Sequence, residues 1–211
     1  MEIEGIDYNN QMRNTKLLFY EEPARSMRVL ALVSLTSLVA AAFLYPGGTP
    51  FSHTASYLPF QNTISDLGMT IGYAGEKILP IQLGLYMLGM GSAAGFLFAD
   101  AYRYKRYRAV APIMAALLAA VAIFPSDLAS NLHNYLFFLL VLVLTAHSVL
   151  VRRFLTTALL AAFIVVLLIV HPSGSDAERT WIATGQKIVV AAVFLSAILS
   201  PAPRLQRKVQ R

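Results

Sequence analysis

Six polar residues beside or within long apolar segments could do chemistry in this chain: Ser65, Asp66, Asp127, Asn131, His133 and Lys187. Carboxylate, imidazole and ammonium groups can bind a charged head group or move a proton, and the first two can also hold a metal ion. Serine and asparagine add hydrogen-bonding capacity beside them. Which of these roles is open depends on where the surrounding apolar segments place the six side chains.

The composition is that of a protein surrounded by lipid. Hydrophobic residues make up 57% of the 211 residues and charged residues only 13%, against roughly 25% charged residues in soluble domains. The net charge of +6 sits in short basic clusters between apolar segments, as in the cytoplasmic loops of membrane proteins. We therefore expect membrane lipid as a partner and no nucleic acid. Without cysteine, disulfides, thiolate metal sites and a cysteine nucleophile are excluded.

Six segments are apolar enough to cross a bilayer, which takes about 20 residues with a range of ~17–25. They cover approximately residues 27–45, 78–99, 109–124, 134–151, 154–170 and 181–200. We predict an all-α fold, an integral membrane six-helix bundle over 27–200. A cytoplasmic N-terminal arm over 1–26 precedes it, and a basic cytoplasmic tail over 201–211 follows.

The basic residues predict the orientation of this bundle. All but three of the 17 lysines and arginines flank the segments on one side, and the exceptions are Lys77, Arg179 and Lys187. By the positive-inside rule, the basic side faces the cytoplasm. We therefore predict a multi-pass protein of the cell membrane with both termini in the cytoplasm and the six candidate residues towards the outer side.

Two acidic candidates also have an ordinary structural interpretation. Residues 65–68 (SDLG) are typical of a turn in which Asp66 caps backbone N–H groups and Gly68 adopts a positive φ. Asp127 could cap the fourth helix, where Asn131 would share its face. For His133, in the first turns of that helix, we expect a hydrogen bond near the interface.

Lys187 is predicted to lie inside the apolar slab. Ser175 and Glu178 match a capping box, so the sixth helix should begin near Asp176 and run ~37 Å to Ser200. Lys187 then lies ~20 Å above the inner end of a hydrocarbon core of ~30 Å. A charge at that depth costs at least ~2.5–3.5 kcal/mol. Its ammonium should either reach the outer head groups or pair with a carboxylate.

The only acidic partners predicted within reach of Lys187 are Asp66 and Asp127. A lysine paired with a carboxylate under the outer surface could bind a zwitterionic or anionic head group, or be purely structural. Deeper in the membrane, His147 should bond to a neighbouring helix without an acidic partner, since Asp100 is expected in the inner loop.

Two glycines of the second apolar segment have the spacing of a helix-packing motif. Gly91 and Gly95 are four residues apart, and small residues at that spacing let helices approach closely in lipid. We interpret them as an internal packing face. Oligomerisation through the same face is the alternative.

Several of these short motifs together resemble a prokaryotic membrane family catalogued as a domain of unknown function (number 998). They are residues 64–68 (ISDLG), residues 124–127 (FPSD), His133 and residues 185–187 (GQK). The resemblance covers about 27–200 and implies a fold and a topology but no activity. The Ser-Asp-x-Gly turn is also similar to one in a eukaryotic group that includes GPI-anchor remodelling and autophagy-linked membrane proteins, which implies lipid-related work.

We expect a lipid- or isoprenoid-binding protein, in one version lipid-modifying, with its polar site at the outer leaflet and no cofactor. A non-catalytic membrane scaffold, in which the polar residues are caps and packing pairs, is the alternative. A metal-assisted hydrolase would need His133, His171, Asp66 and Asp127 as ligands, but no zinc-protease spacing is present. A small transporter is disfavoured because the first, third and fifth spans offer almost no polar residues.

Overall fold

The computed structural model describes residues 8–48, 56–73, 75–170 and 176–199. Within these residues the chain forms six α-helices, two short 3-10 helices and no strand, which confirms the predicted all-α class. The helices are α1 (Tyr8–Phe43), α2 (Pro80–Tyr102), α3 (Val110–Ile123), α4 (Ser130–Leu150), α5 (Phe154–Val170) and α6 (Asp176–Leu199).

Four of the helices are long and apolar enough to cross a membrane, which indicates a membrane protein. They are the Arg25–Phe43 part of α1, then α2, α4 and the Arg179–Leu199 part of α6. Helices α3 and α5 are also apolar but shorter, with 14 and 17 residues. Helix α6 begins at Asp176, where the capping-box pattern predicts it. Helix α1 starts as early as Tyr8, so most of the predicted N-terminal arm is helical.

The connections between helices divide the bundle into two ends of different character. The α1–α2 connection (44–79) and the α3–α4 connection (124–129) lie at one end, here called the loop end. The α2–α3 connection (103–109) and the α4–α5 connection (151–153) lie at the other, here called the arginine end. Helix α2 packs between α1 and α3, whereas α1 meets α6 at few positions. A groove therefore separates α1 from α6.

The arginine end is held by a buried carboxylate. Asp100 lies in the last turn of α2 with 1% of its surface exposed. Both terminal nitrogens of Arg153 donate to it at 2.6 Å, and Arg103 lies 2.9 Å away. His147 Nε2 is 3.5 Å from the same carboxylate. The expectation that His147 lacks an acidic partner is therefore wrong, because α2 continues far enough to carry Asp100 inside the bundle.

The tight packing site of α2 is Gly89 rather than Gly91 or Gly95. A Cβ on Gly89 would lie 2.7 Å from Leu38 Cγ and 3.2 Å from the Ser34 carbonyl oxygen, both on α1. A Cβ on Gly95 would make an ordinary contact, and one on Gly91 would meet nothing within 4 Å. Helix α1 thus packs closely on α2 at Gly89. Oligomerisation through Gly91 and Gly95 stays a prediction.

Alanine substitutions at Gly89 and Gly91 should have opposite effects on stability. Gly89→Ala should destabilise the protein by about 1–3 kcal/mol, because the methyl group overpacks the α1–α2 contact. Gly91→Ala should be neutral or stabilising by up to ~1 kcal/mol, since alanine favours the helix and has room. Thermal unfolding in detergent measures both. Equal melting temperatures for the two variants would contradict the described packing of α1 on α2.

Candidate functional site

Asp66 is the centre of a polar network at the loop end. It lies in a 3-10 turn (Ser65–Gly68) with 2% of its surface exposed. Its carboxylate accepts hydrogen bonds from the Thr63 backbone N–H at 2.7 Å and from the Asn62 side-chain amide at 3.3 Å. It also forms a salt bridge of 2.6 Å with Arg179 of α6. The predicted capping turn is therefore present, and it is tied to a helix more than a hundred residues away.

Gly68 belongs to this turn for a different reason from the predicted one. It does not adopt a positive φ, which among the described glycines occurs at Gly47, Gly48 and Gly75. A Cβ at Gly68 would instead lie 2.3 Å from the ring of Tyr86, a fully buried side chain of α2. Glycine is required here because the turn lies directly against that ring.

Arg179 connects α6 to three parts of the α1–α2 connection. Besides Asp66, it donates to the Tyr73 hydroxyl at 2.7 Å and, through Nε, to the Gln61 carbonyl at 3.1 Å. Burial, together with the nearby Asp66 charge, raises the pKa of Tyr73 above its usual range. The Tyr73 hydroxyl in turn donates to Asp66 at 3.1 Å. Arg179 was not predicted as a site residue. The only sequence feature that set it apart was that it is one of three basic residues on the predicted outer side.

Lys187 lies on α6 eight residues after Arg179 and has different partners. Its ammonium donates to the Asn62 carbonyl at 2.6 Å and to the Ala183 carbonyl at 3.2 Å, and it lies 5.5 Å from the centre of the Tyr57 ring. Among the described residues it forms no salt bridge with a carboxylate. Of the two alternatives predicted for Lys187, the pairing with Asp66 or Asp127 is therefore not formed. Asp66 forms its salt bridge with Arg179 instead.

Asn62 and Gln186 hold the segment that lies over Lys187. Asn62 is fully buried; its side chain accepts from the Leu58 backbone N–H at 2.9 Å and donates to the Gly48 carbonyl at 2.7 Å. Gln186 accepts a hydrogen bond of 2.8 Å from the Ile64 backbone N–H. The Asn62 contacts hold residues 58–62 against Gly48, and the Gln186 contact fixes Ile64 to the middle of α6.

His133 and Ser65 form a separate buried contact. His133 Nδ1 lies 2.7 Å from the Phe124 carbonyl oxygen and Nε2 lies 2.9 Å from Ser65 Oγ. Because a carbonyl only accepts, Nδ1 carries the proton, and in the neutral ring Nε2 accepts from the serine hydroxyl. Both ring nitrogens are therefore engaged within the protein.

Asp127 stands apart from this network. Its carboxylate accepts from the Thr70 backbone N–H at 2.9 Å, the Thr70 hydroxyl at 2.7 Å and the Ile71 N–H at 3.1 Å. Partial burial alone would raise the pKa of Asp127, but these hydrogen bonds keep it below the ordinary value. It does not cap α4, whose first residue is Ser130. Its carboxylate instead accepts hydrogen bonds from Thr70 and Ile71 of the α1–α2 connection. Asn131 is exposed on α4 and does not join the Asp66 network.

No metal centre is formed by the residues that the structure describes. Within them, no three His, Asp or Glu side chains come close enough to hold an ion. Of the four ligands considered, Asp66, Asp127 and His133 each have separate partners, and His171 lies outside the described residues.

A large apolar groove runs between α1 and α6 and reaches Lys187. It has a volume of about 780 Å³ and is lined almost wholly by apolar side chains. Tyr57 and Lys187 line it towards the loop end and Arg28 towards the arginine end. A smaller cavity of about 80 Å³ lies inside the bundle. The two share the lining residues Ser34, Leu38, Ile64, Val190 and Phe194.

What this arrangement offers a ligand at the loop end of the groove is one cation, Lys187, beside an apolar surface. Asp66 and His133 have their partners inside the protein, whereas Lys187 is only partly buried and lines the groove. An ammonium has three N–H donors, and two of them are used by main-chain carbonyls. Searches against protein-family models, curated proteins and solved structures find no match for this chain.

Replacing Asp66 should be far more damaging than replacing Asp127. Asp66→Asn leaves the largely buried Arg179 without its counter-charge, which should destabilise the protein by about 3–5 kcal/mol. Asp127→Asn removes only a partly exposed contact, so we expect a loss of about 0.5–1.5 kcal/mol. Thermal unfolding of both variants in the same detergent measures the difference. A mild effect of Asp66→Asn would contradict the central place of this ion pair.

Proposed function

We propose that this protein is a lipid- or isoprenoid-binding membrane protein that holds its ligand in the groove between α1 and α6. The head group lies at Lys187 and the apolar tail lies along the groove. The observation that carries this proposal is the partly buried Lys187 ammonium, which lines an apolar groove and, among the described residues, donates hydrogen bonds only to main-chain carbonyls.

The proposal includes the orientation in the membrane. All six helices cross the bilayer, both termini lie in the cytoplasm, and the loop end faces the outer side of the cell membrane. The basic residues of the arginine end, such as Lys105, Arg106 and Arg108, support this orientation through the positive-inside rule. Lys187 then belongs to the outer leaflet.

The electrostatics of Lys187 favour an anionic head group. Two main-chain carbonyls satisfy N–H donors but carry no full charge, so the cost of holding an ammonium near hydrocarbon is only partly offset. Asp66, the nearest acidic neighbour in the network, is already neutralised by Arg179 at 2.6 Å. A phosphate or carboxylate on a lipid would supply the missing counter-charge and accept the remaining N–H in a charge-assisted hydrogen bond.

The size and lining of the groove favour an apolar tail. Small-molecule sites usually have volumes of ~300–1,000 Å³, an apolar lining and a few polar groups that fix orientation. The groove, at about 780 Å³, falls in this range and has Lys187 as such a polar group. The resemblance to the prokaryotic family stays a prediction, and it adds topology rather than a ligand.

A non-catalytic scaffold is the second candidate, and one observation favours it. The buried carboxylates at the two ends, Asp66 and Asp100, are both paired with arginines inside the protein. Such pairs stabilise an arrangement of helices without serving a ligand. They do not explain why Lys187 lines an open groove.

Replacing Lys187 should remove the bound lipid and leave the fold intact. Lys187→Met keeps most of the length of the side chain and removes the charge, so lipid that copurifies with the protein should fall about 10–100-fold, as expected for a hydrogen bond to a charged group. Lipid is measured by mass spectrometry and the fold by thermal unfolding in detergent. Lys77→Met, which makes the same change at an exposed residue of the α1–α2 connection, is the matched control and should retain its lipid.

The opposite pattern would contradict the proposal. If Lys187→Met loses much of its thermal stability while its lipid content matches that of Lys77→Met, Lys187 serves the fold alone. The scaffold function would then replace the lipid-binding one.

A further inference from the structure

We propose that Ser65 and His133 form a nucleophile–base pair that cleaves a carboxylic ester of the lipid held in the groove between α1 and α6. This inference rests on the proposed function, because the groove supplies the substrate, and it adds an esterase activity to lipid binding. The observation that carries it is the 2.9 Å contact between Ser65 Oγ and His133 Nε2 beside an internal cavity.

The hydrogen bonds of His133 hold it in the form that a general base requires. Its Nδ1–H donates to the Phe124 carbonyl at 2.7 Å, which leaves the lone pair of Nε2 to accept the proton of Ser65. A serine hydroxyl is a weak nucleophile until an adjacent base takes its proton, and a third group usually orients that base. The Phe124 carbonyl is this third group. His133 is also buried, so packing restricts its ring further.

Ser65 lines a cavity that adjoins the groove. The cavity measures about 80 Å³, and Ile64 and Ser34 line both the cavity and the groove. A cavity of ~150 Å³ takes up a benzene molecule, so about 80 Å³ holds an ester group but not a whole lipid. The chains of a lipid in the groove therefore stay outside, while an ester carbonyl can enter the cavity and reach Ser65.

The ester of a lipid with its head group at Lys187 lies near Ser65. Asn62, whose carbonyl accepts from the Lys187 ammonium at 2.6 Å, precedes Ser65 by three residues, a chain distance of at most ~11 Å. Gln186, next to Lys187, accepts from the Ile64 N–H beside Ser65. In a glycerophospholipid the acyl esters are a few bonds from the phosphate, so both groups can be bound at once.

Two polar side chains can bind the carbonyl oxygen of that ester. Ser34 Oγ is completely buried and has no hydrogen-bond partner among the described residues, although buried polar groups nearly always have one. Gln186 lines the same cavity. Because its Oε1 accepts from the Ile64 N–H, its amide nitrogen is left as a donor. Donors placed where negative charge develops stabilise the transition state of acyl transfer.

The proposed reaction needs only the ester and water. Ser65 Oγ attacks the carbonyl carbon while its proton passes to His133 Nε2. The tetrahedral intermediate then collapses: the bond between this carbon and the oxygen of the lipid alcohol breaks, and the alcohol takes the proton from Nε2. Water attacks the resulting acyl-Ser65 in the same way and gives a proton to Nε2. The fatty acid leaves as Ser65 Oγ takes that proton back.

The first test treats the full-length protein in detergent with hexadecyl fluorophosphonate, which loses fluoride when an activated serine attacks it. We expect one phosphonyl group per chain, located at Ser65, by mass spectrometry of the intact protein and of its peptides. This result needs no variant. Wild-type protein that takes up no label, or takes it up at another serine, would overturn the inference.

Substitutions then assign the roles of the two residues. Ser65→Ala should lose the label, and His133→Gln should slow labelling at least ~100-fold, because glutamine cannot take up a proton as a general base does. Ser148→Ala, at another buried serine of α4, is the matched control and should react at the wild-type rate. Thermal unfolding checks the fold of each variant. A folded His133→Gln variant that reacts as fast as the wild type would exclude His133 as the base.

Hydrolysis of two esters separates this inference from the proposed function. Release of fatty acid from phosphatidylglycerol and from p-nitrophenyl palmitate should depend on Ser65. Lys187→Met should lower the rate with phosphatidylglycerol about 10–100-fold relative to p-nitrophenyl palmitate, which has no anionic head group.

Each contrary outcome overturns a different claim. Lys187-dependent lipid binding without Ser65-dependent hydrolysis would overturn the inference and leave the proposed function in place. Ser65-dependent hydrolysis of both esters with an unchanged ratio in Lys187→Met would overturn the head-group site and leave the nucleophile in place. Neither binding nor hydrolysis by the wild-type protein would overturn both.

Discussion

A carboxylate that is almost completely buried cannot remain charged without compensation, and the loop end is organised around this constraint at Asp66. The compensation comes from Arg179, which lies on α6 at a distance of 2.6 Å. Because Arg179 also binds Tyr73 and the Gln61 carbonyl, the ion pair fixes the connection between α1 and α2 onto the far side of the bundle. Breaking such a pair leaves an uncompensated charge in an apolar region, which is why the arrangement tolerates little change.

The character of the groove follows from that pairing. Because Arg179 forms the salt bridge with Asp66, the described neighbours of the Lys187 ammonium are two main-chain carbonyls and the face of the Tyr57 ring. Helices α1 and α6, which meet at few positions, leave an apolar space that this ammonium lines. The two cations of α6 thus have different roles: one completes the fold, and in our proposal the other recognises the anionic head group of a lipid.

Hydropathy and local patterns predicted the helices well, and pairing across the chain poorly. The all-α class, the start of α6 at Asp176 and the turn around Asp66 depend on residues close in sequence, so they could be predicted. Arg179, the salt-bridge partner of Asp66, is 113 residues away in the sequence. Asp127 accepts a hydrogen bond from Thr70 and does not cap the helix that follows it. Both contacts depend on how the helices pack. Asp100 was assigned to a loop because it directly follows the predicted apolar segment 78–99, whereas α2 continues to Tyr102. The groove is a space between two helices and has no signal in either of them.

The central claim is that a lipid occupies the groove between α1 and α6 with its head group at Lys187. A structure of the full-length protein determined in lipid nanodiscs tests this most directly. Our account predicts elongated density along the groove that passes the level of Leu35, with its polar end within hydrogen-bonding distance of Lys187 Nζ. A groove closed by direct contact of α1 with α6, or filled by a second copy of the chain, would contradict it.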